Sequence, residues 1–206
     1  MDSILNLIPK ECDIYIESGL FLGESLRAAA TLSQWNALYS IELNTEHFNV
    51  GRTEFKKDNR VTVCHGDSTY VLPNILDLLA HNGKQHKICV FLDGHYSGGG
   101  TSLGEVASPI EKELQTLVKY KNLIHTVIID DVDTCFEIAE NRPIKEENKI
   151  YKTGWIPIDT VKQYLLAINP TFKINVDLKR RAYGILYTSR GLPNAPNATK
   201  EEGAEI

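Results

Sequence analysis

Short apolar runs rich in β-branched residues recur along the chain, at residues 13–17, 37–42, 61–67, 87–93 and 126–130. Between them the apolar positions change period. Leu22, Leu26, Ala29 and Ala30 follow the i, i+4, i+7, i+8 spacing of one buried helix face, and Leu72, Ile75, Leu76 and Leu79 repeat a helical spacing. Strand followed by helix, repeated about every 25 residues, requires crossover connections, and crossovers feed a parallel sheet. The run Ile88, Cys89, Val90, Phe91, Leu92 has no polar side, so the sheet is covered on both faces. The pattern predicts an α/β fold with a doubly wound, mostly parallel sheet.

Beyond the fifth run the pattern changes. Residues 131–157 form a long polar connection with a short helix expected over 134–140. Asp159 caps a helix that runs to Ile168, Asn169-Pro170 ends it, and 172–178 with 182–189 read as two more strands. They form an antiparallel C-terminal hairpin at the sheet edge, for seven strands in all. Lys179, Arg180 and Arg181 between them are either a solvated turn or a phosphate-binding patch. From Gly191 the chain is rich in Ala, Pro and charge, which favours disorder. One domain over 1–190 and a disordered tail over 191–206 are expected.

Composition narrows the class. The 206 residues are 42% hydrophobic and 24% charged, with 22 Lys plus Arg against 27 Asp plus Glu for a net charge of −5. That is the balance of a globular protein, and it offers no surplus of cations to a phosphate backbone, so no nucleic-acid partner is expected. No apolar run approaches the roughly 18 residues of a membrane span, and no membrane partner is expected either. The start MDSILNLIPKECD lacks a basic n-region and a cleavage site, so no secretory signal is read there. Cys12, Cys64, Cys89 and Cys135 lie far apart, which fits buried thiols and a cytoplasmic location.

Acids mark the strand ends: Glu17, Glu42, Asp67, Asp93, and Asp130 with Asp131. In a parallel sheet those ends share one edge, the edge where open α/β folds bind ligands. Carboxylates gathered there raise one another's pKa unless a cation or hydrogen-bond donors balance them, so the ligand should be cationic or arrive with a metal. The alternative is that each acid caps the helix that follows it.

The first strand-to-helix turn, Glu17-Ser18-Gly19-Leu20-Phe21-Leu22-Gly23-Glu24-Ser25, spaces its glycines G-x-x-x-G. A dinucleotide fingerprint would need glycine where Phe21 stands. Glu42 follows Gly19 by 23 residues, the place from which an acid accepts hydrogen bonds from ribose hydroxyls.

The motif E-x-G-x-x-x-G-x-S, followed by SIEL at 40–43 and HGDS at 65–68, resembles the cofactor half of class I S-adenosylmethionine-dependent methyltransferases, a Rossmann-like fold. FLDGH at 91–95 and IIDDV at 128–132 extend the resemblance to the metal-dependent O-methyltransferases of the catechol and macrocin types, over residues 13–132. The resemblance implies that Glu17, Gly19 and Ser25 hold the methionine end of S-adenosylmethionine, that Glu42 binds the ribose, and that Asp67 and Ser68 lie at the adenine. It further implies a divalent cation, Mg²⁺ first, on Asp93, Asp130 and Asp131, hard oxygen ligands suited to such an ion. The acceptor would be a hydroxyl of a small molecule or sugar.

One position departs from the catechol type. Three residues after Asp93, where those enzymes carry a lysine base, this chain has Tyr96. His95 is the nearest replacement as base, because an imidazole with pKa near 6.5 takes a proton at neutral pH. Asp93 is its rival on the macrocin pattern. The glycine-rich stretch 94–108 lacks the Lys-Ser/Thr ending of a P-loop and reads as a lid or as a plain loop. Trp155 either walls the acceptor pocket or packs the helix after it.

Overall fold

The computed structural model describes residues 4–98, 100–132, 154–179 and 184–190. The helix expected over 134–140, most of the basic turn at 179–181 and the tail 191–206 lie outside the described residues. A 3-10 turn over Ile4–Leu7 precedes β1 (Ile14–Ser18), α1 (Glu24–Ala30), β2 (Ala37–Glu42), α2 (Thr45–Glu54), β3 (Val61–His65) and α3 (Ser68–His81). There follow β4 (Ile88–Leu92), α4 (Ile110–Lys119), β5 (Ile124–Asp130), α5 (Ile158–Ile168), β6 (Phe172–Asp177) and β7 (Ile185–Arg190).

The strands make one sheet in the order β3-β2-β1-β4-β5-β7-β6. The first five run parallel, whereas β7 pairs antiparallel with both β5 and β6. This is the predicted mostly parallel, doubly wound α/β sheet with its C-terminal hairpin. β7 lies inside the sheet, between β5 and the edge strand β6.

Side-chain alternation divides the core into two layers. Ile14 and Ile16 of β1 and Ile88, Val90 and Leu92 of β4 face one side, where α3, α4 and α5 supply residues such as Leu76, Leu114 and Leu165. Tyr15, Cys89 and Phe91 face the other, against Leu26 and Ala29 of α1, Trp35 and Phe55. The expected buried face of α3, Leu72, Ile75, Leu76 and Leu79, is buried throughout. That of α1 is shorter than its spacing suggested: Leu22 precedes the helix and is exposed, because Gly23 in a left-handed conformation starts the helix one residue later. Cys12 and Cys89 are buried free thiols. Among the described residues no helix is long and apolar enough to cross a membrane.

At the edge opposite the acids, Asp13 ties β1 to β4. Its carboxylate accepts from the Lys87 amide at 2.6 Å, His86 Nδ1 at 2.8 Å and Asn36 Nδ2 at 3.1 Å. Burial pushes this carboxyl up, but the hydrogen bonds from His86, Lys87 and Asn36 together outweigh it and hold it below the ordinary aspartate range. A depressed carboxyl stabilises the fold above its unfolded pKa, and that contribution is lost as pH falls through the folded one. Asp13→Ala should therefore lower unfolding free energy by about 1.5–3 kcal/mol at neutral pH. In urea melts the gap from wild type should close as the pH is taken down from about 4.

Candidate active site

The carboxyl ends of the parallel strands surround a cavity of about 60 Å³ whose lining includes Gly19, Phe21, Glu42, Asp67, Ser68 and His95. Its floor depends on close backbone packing. Asp93 N–H donates to the Ser18 carbonyl at 3.0 Å and Gly19 N–H to Ile41 at 2.9 Å, which draws the ends of β1, β2 and β4 together. Gly19, at φ 85°, is required there: a Cβ would run into the Asp93 carbonyl.

Glu42 ends β2 with both carboxylate oxygens engaged by backbone. Oε1 accepts from Asn44 N–H at 2.6 Å and Oε2 from Phe21 N–H at 2.8 Å. Phe21 reaches that position only by adopting φ 47°, a left-handed conformation uncommon outside glycine. Its ring meets His47 edge-on, with centroids 4.9 Å apart. Asp67 faces the cavity and also caps α3, its Oδ1 accepting from Thr69 N–H at 2.8 Å. Residues within 94–98 and 100–109 border the same cavity, with Asn44 Nδ2 donating to Ser102 Oγ at 3.1 Å and Tyr96 N–H to the Ala107 carbonyl.

Of the residues expected to hold a cofactor, Gly19, Glu42, Asp67 and Ser68 line the cavity. Glu17 and Ser25 are not among the lining residues. Glu17 is fully buried inside β1, where the Tyr15 hydroxyl donates to Oε2 at 2.9 Å and the Ser40 hydroxyl to Oε1 at 2.7 Å. Ser25 sits half-buried in the first turn of α1.

Of the acids at the ends of β4 and β5, Asp93 and Asp131 come together. Asp130 is the last residue of β5 and is buried. Asp131 then turns out of the strand at φ 53°. The side chains that converge are Asp93, His95 and Asp131, with one potential ligand atom from each lying within 4.8 Å of the others. His95, on the loop after β4, lies between the two aspartates. Its Nε2 lies 2.9 Å from Asp131 Oδ2 and its Nδ1 3.7 Å from Asp93 Oδ1. Burial pushes the imidazole pKa down, but the hydrogen bond to Asp131 and the charges of Asp93, Asp131 and Asp130 outweigh that and leave it raised. Trp155 packs on the main core cluster, and its ring centroid lies 5.4 Å from that of His95. Two carboxylates and an imidazole in this arrangement can share a proton or exchange it for a divalent cation.

Sequence reasoning missed His47 and the polar wall formed by Thr101 and Ser102. The signal for α2 was present in Asn44, whose Oδ1 accepts from the Glu46 and His47 amides as an N-cap does. Glu113 was missed as well. It occupies an apolar position on α4 and is buried under Gly94.

No protein-family model and no curated protein matches the chain. Solved structures do resemble it. An O-methyltransferase from Bacillus cereus, determined in complex with S-adenosylhomocysteine, superposes with a TM-score of 0.56 at 15% identity over 88% of this chain and 76% of that one. A Staphylococcus aureus protein provisionally classed as a caffeoyl-CoA O-methyltransferase gives 0.56 at 14% identity, over 88% of this chain and 78% of the other. The 23S rRNA methyltransferase ErmE gives 0.50 at 9% identity, over 90% and 64%. What the chain shares with these proteins is the class I methyltransferase fold.

Proposed function

We propose that the chain is an S-adenosylmethionine-dependent O-methyltransferase acting on a hydroxyl of a small molecule or sugar, with a divalent cation held by Asp93, His95 and Asp131. The observation that carries this reading is Glu42. Two backbone amides fix its carboxylate at the end of β2, and it faces the cavity, the arrangement that receives a pair of ribose hydroxyls. Phe21 supports a mononucleoside over a dinucleotide, since its ring stands where a pyrophosphate would need glycine.

The acidic edge suits a cofactor that carries a sulfonium and an ammonium group. The donor set at the neighbouring trio suits a cation, with one revision: an imidazole in place of a third carboxylate moves the preference from Mg²⁺ toward Mn²⁺, Fe²⁺ or Zn²⁺. When bound, the cofactor would supply an electrophilic methyl group and the cation a charge that lowers the pKa of a hydroxyl. The chain's own part is orientation and proton handling. Glu42 anchors the ribose, Gly19 admits close approach, and Asp67 with Ser68 borders the adenine. Without the cation His95 and Asp131 share a proton; with it bound the imidazole would serve as a ligand, and in either case the role of base falls to Asp93. The Trp155 ring and residues within 94–98 and 100–109 screen the imidazole from water.

The same fold serves O-methyltransferases and an rRNA methyltransferase, so the acceptor must be argued from this chain. Its net charge of −5 favours a small hydroxyl compound over RNA.

Three measurements test the proposal. Calorimetry should show S-adenosylhomocysteine binding without metal, and Glu42→Ala should weaken it by about 1.5–3 kcal/mol; binding of NAD with no response to either sulfur compound would sink the cofactor reading. In assays over catechols, sugars and RNA, excess chelator should abolish methyl transfer and Mn²⁺ should restore it. Full activity in chelator would reduce the trio to an acid–base group. Asp131→Asn should lower the His95 pKa, read as the pH midpoint of its ring proton shifts in NMR, because the charge that holds the imidazolium is removed. An unmoved midpoint would leave the raised His95 pKa without its assigned cause.

A further inference from the structure

Glu113 lies on the buried face of α4 with Ile110, Leu114 and Leu117, at a position where helical spacing calls for an apolar side chain. It is 1% exposed. Among the described residues no Lys or Arg forms an ion pair with it, and its Oε1 has no hydrogen-bond partner. That oxygen is directed at the wall of the cavity. A Cβ built on Gly94 would lie 3.5 Å from Glu113 Oε1 and 3.2 Å from the Oγ of the buried Ser18. Gly94 itself lines the cavity, as does Ser68.

A buried carboxylate without a cation is costly, and helix packing gives no reason to keep one. Burial raises the Glu113 pKa, and the charge of Asp67 adds to it, against the pull of the Ser68 and Ser18 hydroxyls and of His95. A positive charge on the cavity side of Gly94 would offset that cost.

We propose that Glu113 is a buried counter-charge that selects the cationic form of the cofactor, S-adenosylmethionine, over the form with an uncharged sulfur, S-adenosylhomocysteine. The inference rests on the cofactor reading above. It assigns product release a physical cause: once the methyl group has left, the sulfur no longer carries the charge that Glu113 attracts. A unit charge several ångströms away, through a medium of intermediate permittivity, changes affinity by about tenfold.

The test is calorimetric titration of the wild type, Glu113→Gln and Glu113→Met with each of the two compounds, alongside thermal melts. Met is close to Glu in size and suits the apolar face, so it keeps the test open should the Gln variant fold poorly. Glu113→Met should melt at or above the wild-type temperature. Both variants should bind S-adenosylhomocysteine within about twofold of wild type and S-adenosylmethionine about tenfold more weakly. Equal weakening of both ligands with a lowered melting temperature makes Glu113 a structural support and overturns the inference. Unchanged affinities for both overturn it also. If the wild type binds neither compound, the cofactor reading fails and this inference with it; if the wild type binds both and the variants keep its preference, the inference fails alone.

Discussion

Crowding of carboxylates at one edge of the sheet is the constraint on which the rest of the site depends. Each acid is accommodated by a different local device. Glu17 accepts from hydroxyls inside the sheet, Glu42 from two amides and Asp67 from the start of a helix, while an imidazole stands between Asp93 and Asp131. Like charges held a few ångströms apart would otherwise take up protons. Donors allotted in this way offset the mutual repulsion of the carboxylates, and the edge keeps its acidic character.

Backbone strain is spent on the same edge. Among the described residues only Phe21 and Asp131 take positive φ without being glycine, and each serves the site. Phe21 turns its amide toward Glu42, and Asp131 turns its carboxylate toward His95. Strain of this kind costs of order 1–3 kcal/mol per residue and persists only where surrounding structure holds it. Here the holders are the packed ends of β1, β2 and β4, where Gly19 and Asp93 meet backbone to backbone.

The parallel core and its hairpin were legible in the sequence because strand and helix periods differ and the strands are apolar on both sides. Glu42 was legible for a related reason, since a strand-end acid at a fixed interval from the first glycine turn is a local feature. The trio was not fully legible. Adjacent Asp130 and Asp131 look equivalent in one dimension, and only the left-handed turn at Asp131 separates a side chain that reaches His95 from one that stays buried at the strand end. Glu17 failed for the opposite reason: a strand-end position suggests access, but Tyr15 and Ser40 enclose it from neighbouring sites in the sheet. Glu113 was hidden by distance along the chain, since its relation to Gly94 exists only once α4 has packed beneath the end of β4.

The place of β7 bears on how the chain is made. β5 carries the aspartates at its end and is buried along its whole length, yet its outer edge is completed by Ile185, Leu186 and Tyr187, which pair with Asp130, Ile129 and Ile128. During synthesis the first five strands leave the ribosome with that apolar edge open, and an open edge invites pairing with other chains. Were the first five strands to pair before the rest of the chain is made, the sheet would stand unfinished at β5. β7 covers that edge of β5 and hands the exposed edge on to β6.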